Sequence, residues 1–583
     1  MLRTRVGLIL FLLCFLIGLA QPTPVMAQAI VTVSFATTNP LPLNPGFAGF
    51  STEMLANAVE YYDTNLQSIA ATVSPGWLRY PSGALENAFA WTNGVTIPSW
   101  IAAFPAPEQS LLDATIKTTA AKGGVLFSDF ASMCANVGGA KKVVTINGFT
   151  DTAESAGAFA QYALSNHLSV AVWELCNEPY VFAGSHSSFF LNSTDYVAKM
   201  KPYRDAIKAA DSNAVVAIYF SDAGFTEPNW DLGLSNYTDK YWDAVVYHHY
   251  PQMPTNGPAF ADLMAIDNWQ LASNTTTRVI NYLMPMNNSN VIYLISEFAP
   301  SMGNGAGGQN PPTTTLYGGV YAAEYLLRLS TIPQMTFVGP YQLIDAAGIA
   351  ITNNNYPAIT TAYNAGRTTN TAGLPFGFYR SAQVCGSSVA NWVLTRSVGV
   401  YPATVSTNGP TVPIDTNGLV TIPAIYAQAY QGGNGKRYVV LTNKGSNAAP
   451  VQILQDGVAM TNQFLETFVT GSDPSVTNMP PPDSAVQIQT ATVANPVTIP
   501  EYSVVRLEWT VFRVPPPMVT LNVANSSQRL RWQGQTDVMY SVQGATNLLA
   551  GWSTLGKATN SATNFTFTNW NSGPQQFYRL AVP

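Results

Sequence analysis

The chain has 583 residues, too many for one hydrophobic core, and 47% of them are hydrophobic, as in globular proteins. Only 10% are charged and the formal net charge is −6. No Lys/Arg run stands out, which removes nucleic acids and anionic membrane surfaces as expected partners.

In chain order, Arg3 and Arg5 precede an apolar run from Val6 to Ala20, and Val25-Met26-Ala27 supplies a small-residue cleavage pattern. A signal peptide over residues 1–27 is expected, and with it a secreted, extracellular or periplasmic location. The run is short for a span of about 20 residues, and no later segment is long and apolar enough to cross a membrane. After cleavage Cys134, Cys176 and Cys385 remain, an odd and widely spaced set that allows at most one bridge. No Cys/His group has zinc spacing, so no metal and no cofactor are expected.

From about residue 40 to 345, within a predicted barrel domain of 28–375, the chain repeats one grammar, a short β-branched or aromatic run followed by a helical stretch. The runs are Phe47–Ser51, Trp77–Pro81, Val143–Asn147, Val170–Leu175, Val215–Phe220, Ala244–Tyr250, Val291–Glu297 and Met335–Tyr341. Helical stretches include Thr152–Asn166, Thr194–Ala210 and Tyr317–Leu329. Eight such units predict an α/β fold, a (β/α)8 TIM barrel. The alternative, an open doubly wound sheet, lacks a Gly-x-Gly-x-x-Gly turn after its first strand. Past residue 375 short alternating runs predict a β-sandwich over 376–513, with strands at Tyr438–Thr442, Val451–Ile453, Val486–Ile488 and Ser503–Trp509. Pro515-Pro516-Pro517 then begins a small β module, 514–583, with strands at Arg529–Trp532, Met539–Gln543 and Phe577–Val582.

Chemistry in a barrel is sought at the C-terminal ends of its strands. The fourth ends Glu174-Leu175-Cys176-Asn177-Glu178-Pro179 and the seventh ends Ile295-Ser296-Glu297, so two strand-end carboxylates stand 119 residues apart, three βα units. Cleaving a glycosidic bond takes one carboxyl to protonate the leaving oxygen and, in retaining enzymes, a second as nucleophile roughly 5–5.5 Å away. Glu178 is the candidate acid/base and Glu297 the candidate nucleophile. Asn177 is placed to bind the hydroxyl next to the reacting carbon. Glu174 reads as a barrel-interior group, and Cys176 as packing.

These segments resemble the clan A retaining glycoside hydrolases, whose acid/base follows an Asn on strand four and whose nucleophile ends strand seven. The resemblance covers residues 40–345. Trp77-Leu78-Arg79-Tyr80-Pro81-Ser82-Gly83, with Trp91 and Gly94, looks like strand two of the α-L-arabinofuranosidases. It implies that Arg79 orients the nucleophile and keeps it ionised, against the alternative of a surface salt bridge. Tyr247-His248-His249-Tyr250 ends strand six, where the clan places His and Tyr beside the nucleophile; a pair of core histidines is the alternative. Glu53 resembles a strand-one Glu that contacts substrate in the arabinofuranosidases, or is an exposed carboxylate at a helix start.

The implied function is a secreted retaining hydrolase of plant- or matrix-type polysaccharide, α-L-arabinofuranosidase-like. The segment 468–509 resembles the arabinofuranosidase sandwich. Trp173–Pro179 and the Gly-rich 303–308 are closer to the β-glucuronidase and heparanase group, and Ser82 and Ala84 depart from the arabinofuranosidase Pro-Gly-Gly-Asn. A non-catalytic carbohydrate-binding surface protein is the rival from another class, and a metallohydrolase has only His248-His249 in its favour. The expected partner is an oligo- or polysaccharide. The C-terminal module, marked by Tyr540, Trp552 and Phe577-Tyr578-Arg579, offers either sugar binding, attachment to a cell surface or polysaccharide, or aromatics that merely fill a small core.

Overall fold

The computed structural model describes residues 29–510 apart from 53–59, 82, 107–108, 110–124, 181–188, 222–228, 250–290, 299–314, 333, 342, 344–379, 414–420, 434, 477 and 479–484, followed by six strands of the C-terminal module. The signal segment, Glu53, Ser82, Tyr250, the 303–308 loop and Trp552 lie outside the described residues.

All eight predicted barrel runs overlap strands of one parallel sheet. In order around the sheet they are Phe50–Ser51, Trp77–Tyr80, Lys141–Ile146, Val172–Leu175, Val216–Tyr219, Ala244–His249, Ile292–Phe298 and Met335–Val338. The eighth closes on the first: Ala48 bridges Val338, the Gly49 N–H donates to the Val338 carbonyl at 3.1 Å, and the Val338 N–H donates to the Phe47 carbonyl at 2.9 Å. Strands of a closed barrel are covered by helices on one side and by each other on the other, which is why they read as unbroken apolar runs.

Trp77 fills the barrel beneath the site, and its indole N–H donates to the Phe47 carbonyl at 3.1 Å. Two glycines make the room. A Cβ on Gly49 would stand 2.5 Å from the indole, and one on Gly339 also 2.5 Å from it. On the outer face Tyr80 packs against Phe127, Phe130 and Phe159 from the surrounding helices.

The helices begin where the sequence supplies a cap. Ala153–Ser165 is capped by Thr152, Ser193–Ala210 by Asn192 and Leu316–Leu329 by Thr315, each side chain accepting a first-turn N–H. A further helix, Ala382–Leu394, packs on Leu316–Leu329 where Gly319 and Gly386 meet backbone to backbone. Its Asn391 amide donates to the Val73 carbonyl at the end of the first barrel helix, Thr64–Thr72. The helical ring therefore runs past residue 375, where the sequence reading opened the sandwich.

The boundary at the other end differs too. Val31–Phe35 pairs in parallel with Ala449–Gln455, and Leu41–Pro42 pairs with Ser397–Tyr401, so the first strands after residue 28 belong to the sandwich and not to the barrel. Among the described residues one sandwich sheet has seven strands and the other five. Val31, Val33, Phe35, Val451, Ile453, Phe464 and Trp509 are among the side chains between them. The predicted strand Val486–Ile488 is not one; the ladder starts at Gln489. The Asn478 side chain instead takes both backbone groups of Val486, at 2.7 and 2.8 Å.

Barrel and sandwich meet at a buried charge cluster. Glu324 of Leu316–Leu329 accepts from Lys444 at 2.6 Å, Arg328 at 2.7 Å and Thr442 at 2.9 Å. Burial alone would raise the Glu324 pKa, but Lys444 and then Arg328 hold it at about 2.

The chain divides into compact units at 509/510. The second has two three-stranded antiparallel sheets, Val519–Ala524, Ser527–Gln533 and Asn564–Asn569 in one, Ser553–Ala558, Tyr540–Ala545 and Phe577–Ala581 in the other, with Leu530, Trp532 and Val542 buried. Among the described residues no helix is long and apolar enough to cross a membrane.

Candidate active site

Alternation along strand two sends Arg79 to the same side as Trp77, into the barrel, where its side chain is fully buried. A lone guanidinium there must be compensated. Its Nε donates to Glu174 Oε2 at 2.7 Å, its Nη1 donates to Glu297 Oε1, and its Nη2 donates to Asn177 Oδ1 and to the Tyr219 hydroxyl, both at 2.8 Å. Burial works against the Arg79 cation, but Glu174, then Tyr219 and Glu297, hold it charged. The surface salt bridge alternative is therefore not what the structure holds.

Glu174 is buried as completely. Its Oε2 also accepts from Thr145 at 2.7 Å and from the Tyr219 hydroxyl at 2.8 Å. Burial would raise its pKa, and Arg79 followed by His248 more than reverses this, so it stays ionised. Its role is to balance Arg79 from inside the barrel.

The strand register aims Glu297. Strands six and seven pair Val246 with Leu294 and then His248 with Glu297, so Tyr247 stands opposite both Ile295 and Ser296. This bulge turns the end of strand seven and brings Glu297 level with His248. His248 is buried; Nδ1 lies 2.6 Å from Glu178 Oε1 and 3.5 Å from Glu297 Oε2, and Nε2 lies 3.1 Å from Ser296 Oγ. Burial opposes its charge, but Glu297 and then Glu178 outweigh that and raise its pKa. His249 is buried next to it, with its ring 6.0 Å from that of Tyr325.

Glu178 reaches the site by a different device. Strand four stops at Leu175, and both Cys176 (φ 77°) and Glu178 (φ 45°) take the left-handed conformation. Each such residue costs on the order of 1–3 kcal/mol and persists only where its neighbours fix it. Here the Cys176 N–H donates to the Ile146 carbonyl at 3.2 Å, Tyr196 donates to the Leu175 carbonyl at 2.6 Å, and Tyr180 donates to Glu178 Oε1 at 3.3 Å. The Glu178 side chain is 19% exposed and that of Glu297 4%. One carboxylate oxygen of each and a His248 ring nitrogen all lie within 4.8 Å of one another.

That trio has the donor set of a cation site. Two of its members also have partners within the protein, His248 at Ser296 and Glu297 at Arg79.

Of the residues the sequence predicts for the site, the structure brings Glu178, Glu297, Asn177, Arg79 and His248 together, whereas alternation turns His249 the other way, its ring 6.0 Å from that of Tyr325 in the helix Leu316–Leu329. Thr145, Tyr219, Ser296, Asn87 and Glu86 are not among the predicted residues. Glu86 is buried in the turn Ala84–Ala88, and burial pushes its carboxyl well above the usual range, with Arg79 only partly offsetting it. All three described cysteines are buried free thiols; burial pushes Cys134 up to about 12, Cys385 up to about 11 and Cys176 well above its ordinary value, so none is a nucleophile at neutral pH.

No family model and no curated protein matches the chain. Solved structures do match its fold. An α-L-arabinofuranosidase from Thermotoga maritima, in an arabinose complex, aligns at TM-score 0.60 and 14% identity, over 82% of this chain and 100% of its own. A family 51 α-L-arabinofuranosidase from Bifidobacterium longum aligns at 0.61 and 13%, over 83% and 100%. A 4-O-α-L-rhamnosyl-β-D-glucuronidase from Fusarium oxysporum aligns at 0.52 and 15%, over 82% and 100%. The chain thus shares its barrel-and-sandwich fold with these enzymes.

Proposed function

We propose that the protein is a retaining glycoside hydrolase that works by double displacement, with Glu297 as nucleophile and Glu178 as acid/base. The observation that carries this reading is the approach of the two carboxylates to within 4.8 Å from strands four and seven. That separation suits direct attack by one of them, whereas an inverting pair stands roughly 6.5–9.5 Å apart to admit a water. Arg79 and His248 keep Glu297 ionised for attack on the anomeric carbon. Glu178, the more exposed of the two, gives its proton to the leaving oxygen and then takes one from the incoming water. Because Asn177 Oδ1 accepts from Arg79, its amide N–H groups are left to donate to the sugar hydroxyl beside the reacting carbon.

The favoured substrate is an α-L-arabinofuranoside in plant- or matrix-type polysaccharide, on the resemblance of strand two and of segment 468–509 to those enzymes and on the neighbours that share the fold. A β-glucuronide is the second reading, favoured by Trp173–Pro179. We place the enzyme outside the cytoplasm on the strength of residues 1–27, and assign the module 514–583 to attachment or sugar binding. A panel of aryl arabinofuranosides and glucuronides at pH 4–8 tests the reaction and the sugar together. Hydrolysis with a bell-shaped pH profile is expected. Binding of sugars without turnover by folded protein would make this a carbohydrate-binding surface protein.

A further inference from the structure

The backbone of Asn177 is held by a side chain that strand four does not supply. Asn87 Oδ1 accepts the Asn177 N–H at 3.3 Å, and Asn87 Nδ2 donates to the Asn177 carbonyl at 3.4 Å. A primary amide carries a donor and an acceptor side by side, so one Asn can satisfy both groups of one residue as a neighbouring strand would. Asn177 lies between the two left-handed residues, Cys176 and Glu178, where the ladder has ended and no strand partner is at hand.

The clamp is itself anchored. Asn87 is 5% exposed and sits in the turn Ala84–Ala88 that follows strand two. Its carbonyl accepts from Thr150 Oγ1 at 2.9 Å, and Asn147 at the end of strand three donates to Thr150 Oγ1 at 2.8 Å and to the Phe89 carbonyl at 3.2 Å. The Asn147 side chain in turn accepts the N–H groups of Phe149 and Thr150 at 3.1 and 3.0 Å. The turn is thus locked to strands three and four on the side from which Glu178 emerges.

We infer that Asn87 is a positioning residue for the acid/base: by fixing the Asn177 peptide it holds the left-handed turn that presents Glu178 to the leaving oxygen. The inference rests on Glu178 being the acid/base. Without Asn87 the peptide loses both partners, the turn relaxes toward an ordinary conformation, and the Glu178 carboxyl moves off the leaving group. Glu297, held from strand seven by Arg79 and level with His248, and the Asn177 side-chain amide, whose Oδ1 Arg79 also holds, keep their places.

The test separates proton transfer from everything else. Asn87→Ala and the milder Asn87→Ser are compared with wild type on 2,4-dinitrophenyl and phenyl glycosides of the sugar that wild type cleaves, with a thermal melt for each protein. The dinitrophenolate leaves without a proton, whereas phenolate needs one. The inference expects kcat/KM for the phenyl glycoside to fall about 100-fold, the scale of general acid catalysis, and that for the dinitrophenyl glycoside to change less than about threefold. Azide, which needs no general base, should restore turnover of the dinitrophenyl glycoside where deglycosylation has become slow. Equal losses on both substrates in a folded variant, or no loss on either, overturn the role of Asn87 and leave the hydrolase reading intact. If Asn87→Ala does not fold, Asn87→Ser decides by the same ratio. A folded wild type that cleaves neither compound in either sugar series overturns both.

Discussion

Arg79 and Glu174 form an ion pair at 2.7 Å with both side chains wholly buried. Such a pair is held by its neighbours as much as by its own attraction, since each charge left alone would be costly. The cluster of Arg79, Glu174, Glu297, Asn177 and Tyr219 is therefore at once a structural element of the barrel and the support of the candidate nucleophile.

Removing one member should show this. Arg79→Ala leaves Glu174 buried without its cation, a loss of about 3–5 kcal/mol in unfolding free energy. Adding Glu174→Gln to Arg79→Ala should recover part of that loss while activity stays absent. Urea unfolding of the two single variants and the double variant checks it, and strictly additive losses would contradict a coupled pair.

The position of His248 predicts a pH effect of definite sign. His248 lies 3.5 Å from Glu297, the larger of the two charges that raise its pKa, and the protonated ring favours the Glu297 carboxylate in return. His248→Asn removes that cation, so the acid limb of the kcat/KM profile should move to higher pH. An unmoved acid limb would mean that His248 carries no charge in the working enzyme.

Glu324 gives a stability prediction at acid pH. Its folded pKa of about 2 lies below the ordinary 4.5, so its ionised form stabilises the fold above 4.5, and that contribution is lost as pH falls through about 2. The Tm gap between wild type and Glu324→Gln should be wide at pH 7 and narrower at pH 3. An equal gap at the two pH values would place the stabilisation elsewhere.

Gly339→Ala should destabilise by about 1–3 kcal/mol, because the added Cβ meets the Trp77 indole at 2.5 Å and the Gly49 carbonyl at 2.8 Å. Thermal unfolding measures it. Combining it with Trp77→Phe should relieve part of the strain if the indole is the obstacle.

The barrel was legible because its strands are apolar on both faces and alternate with stretches of helical periodicity. Glu178, Glu297 and Arg79 stood out as charges at or near the ends of such strands. What was hidden depends on contacts between segments far apart in the chain. Val31–Phe35 joins the sandwich through a partner more than 400 residues away. Tyr219 and Thr145 are hydroxyls inside apolar runs, and only barrel closure turns them toward Arg79. The bulge at Ile295–Ser296 is a feature of register, which one strand's sequence does not carry. Asn87 lies in a short turn whose docking on Asn177 is wholly tertiary. Cys176 and Glu178 leave strand conformation, which their residue types do not announce.

The central claim is that Glu297 forms a covalent bond to the sugar. Incubation with a 2-fluoro glycoside bearing a good leaving group, then proteolysis and mass spectrometry of the peptides, tests it most directly. The account predicts one sugar per chain, on Glu297, and none in Glu297→Gln. A label on Glu178 or any other residue, or turnover of the reagent with inversion and no label, would contradict it.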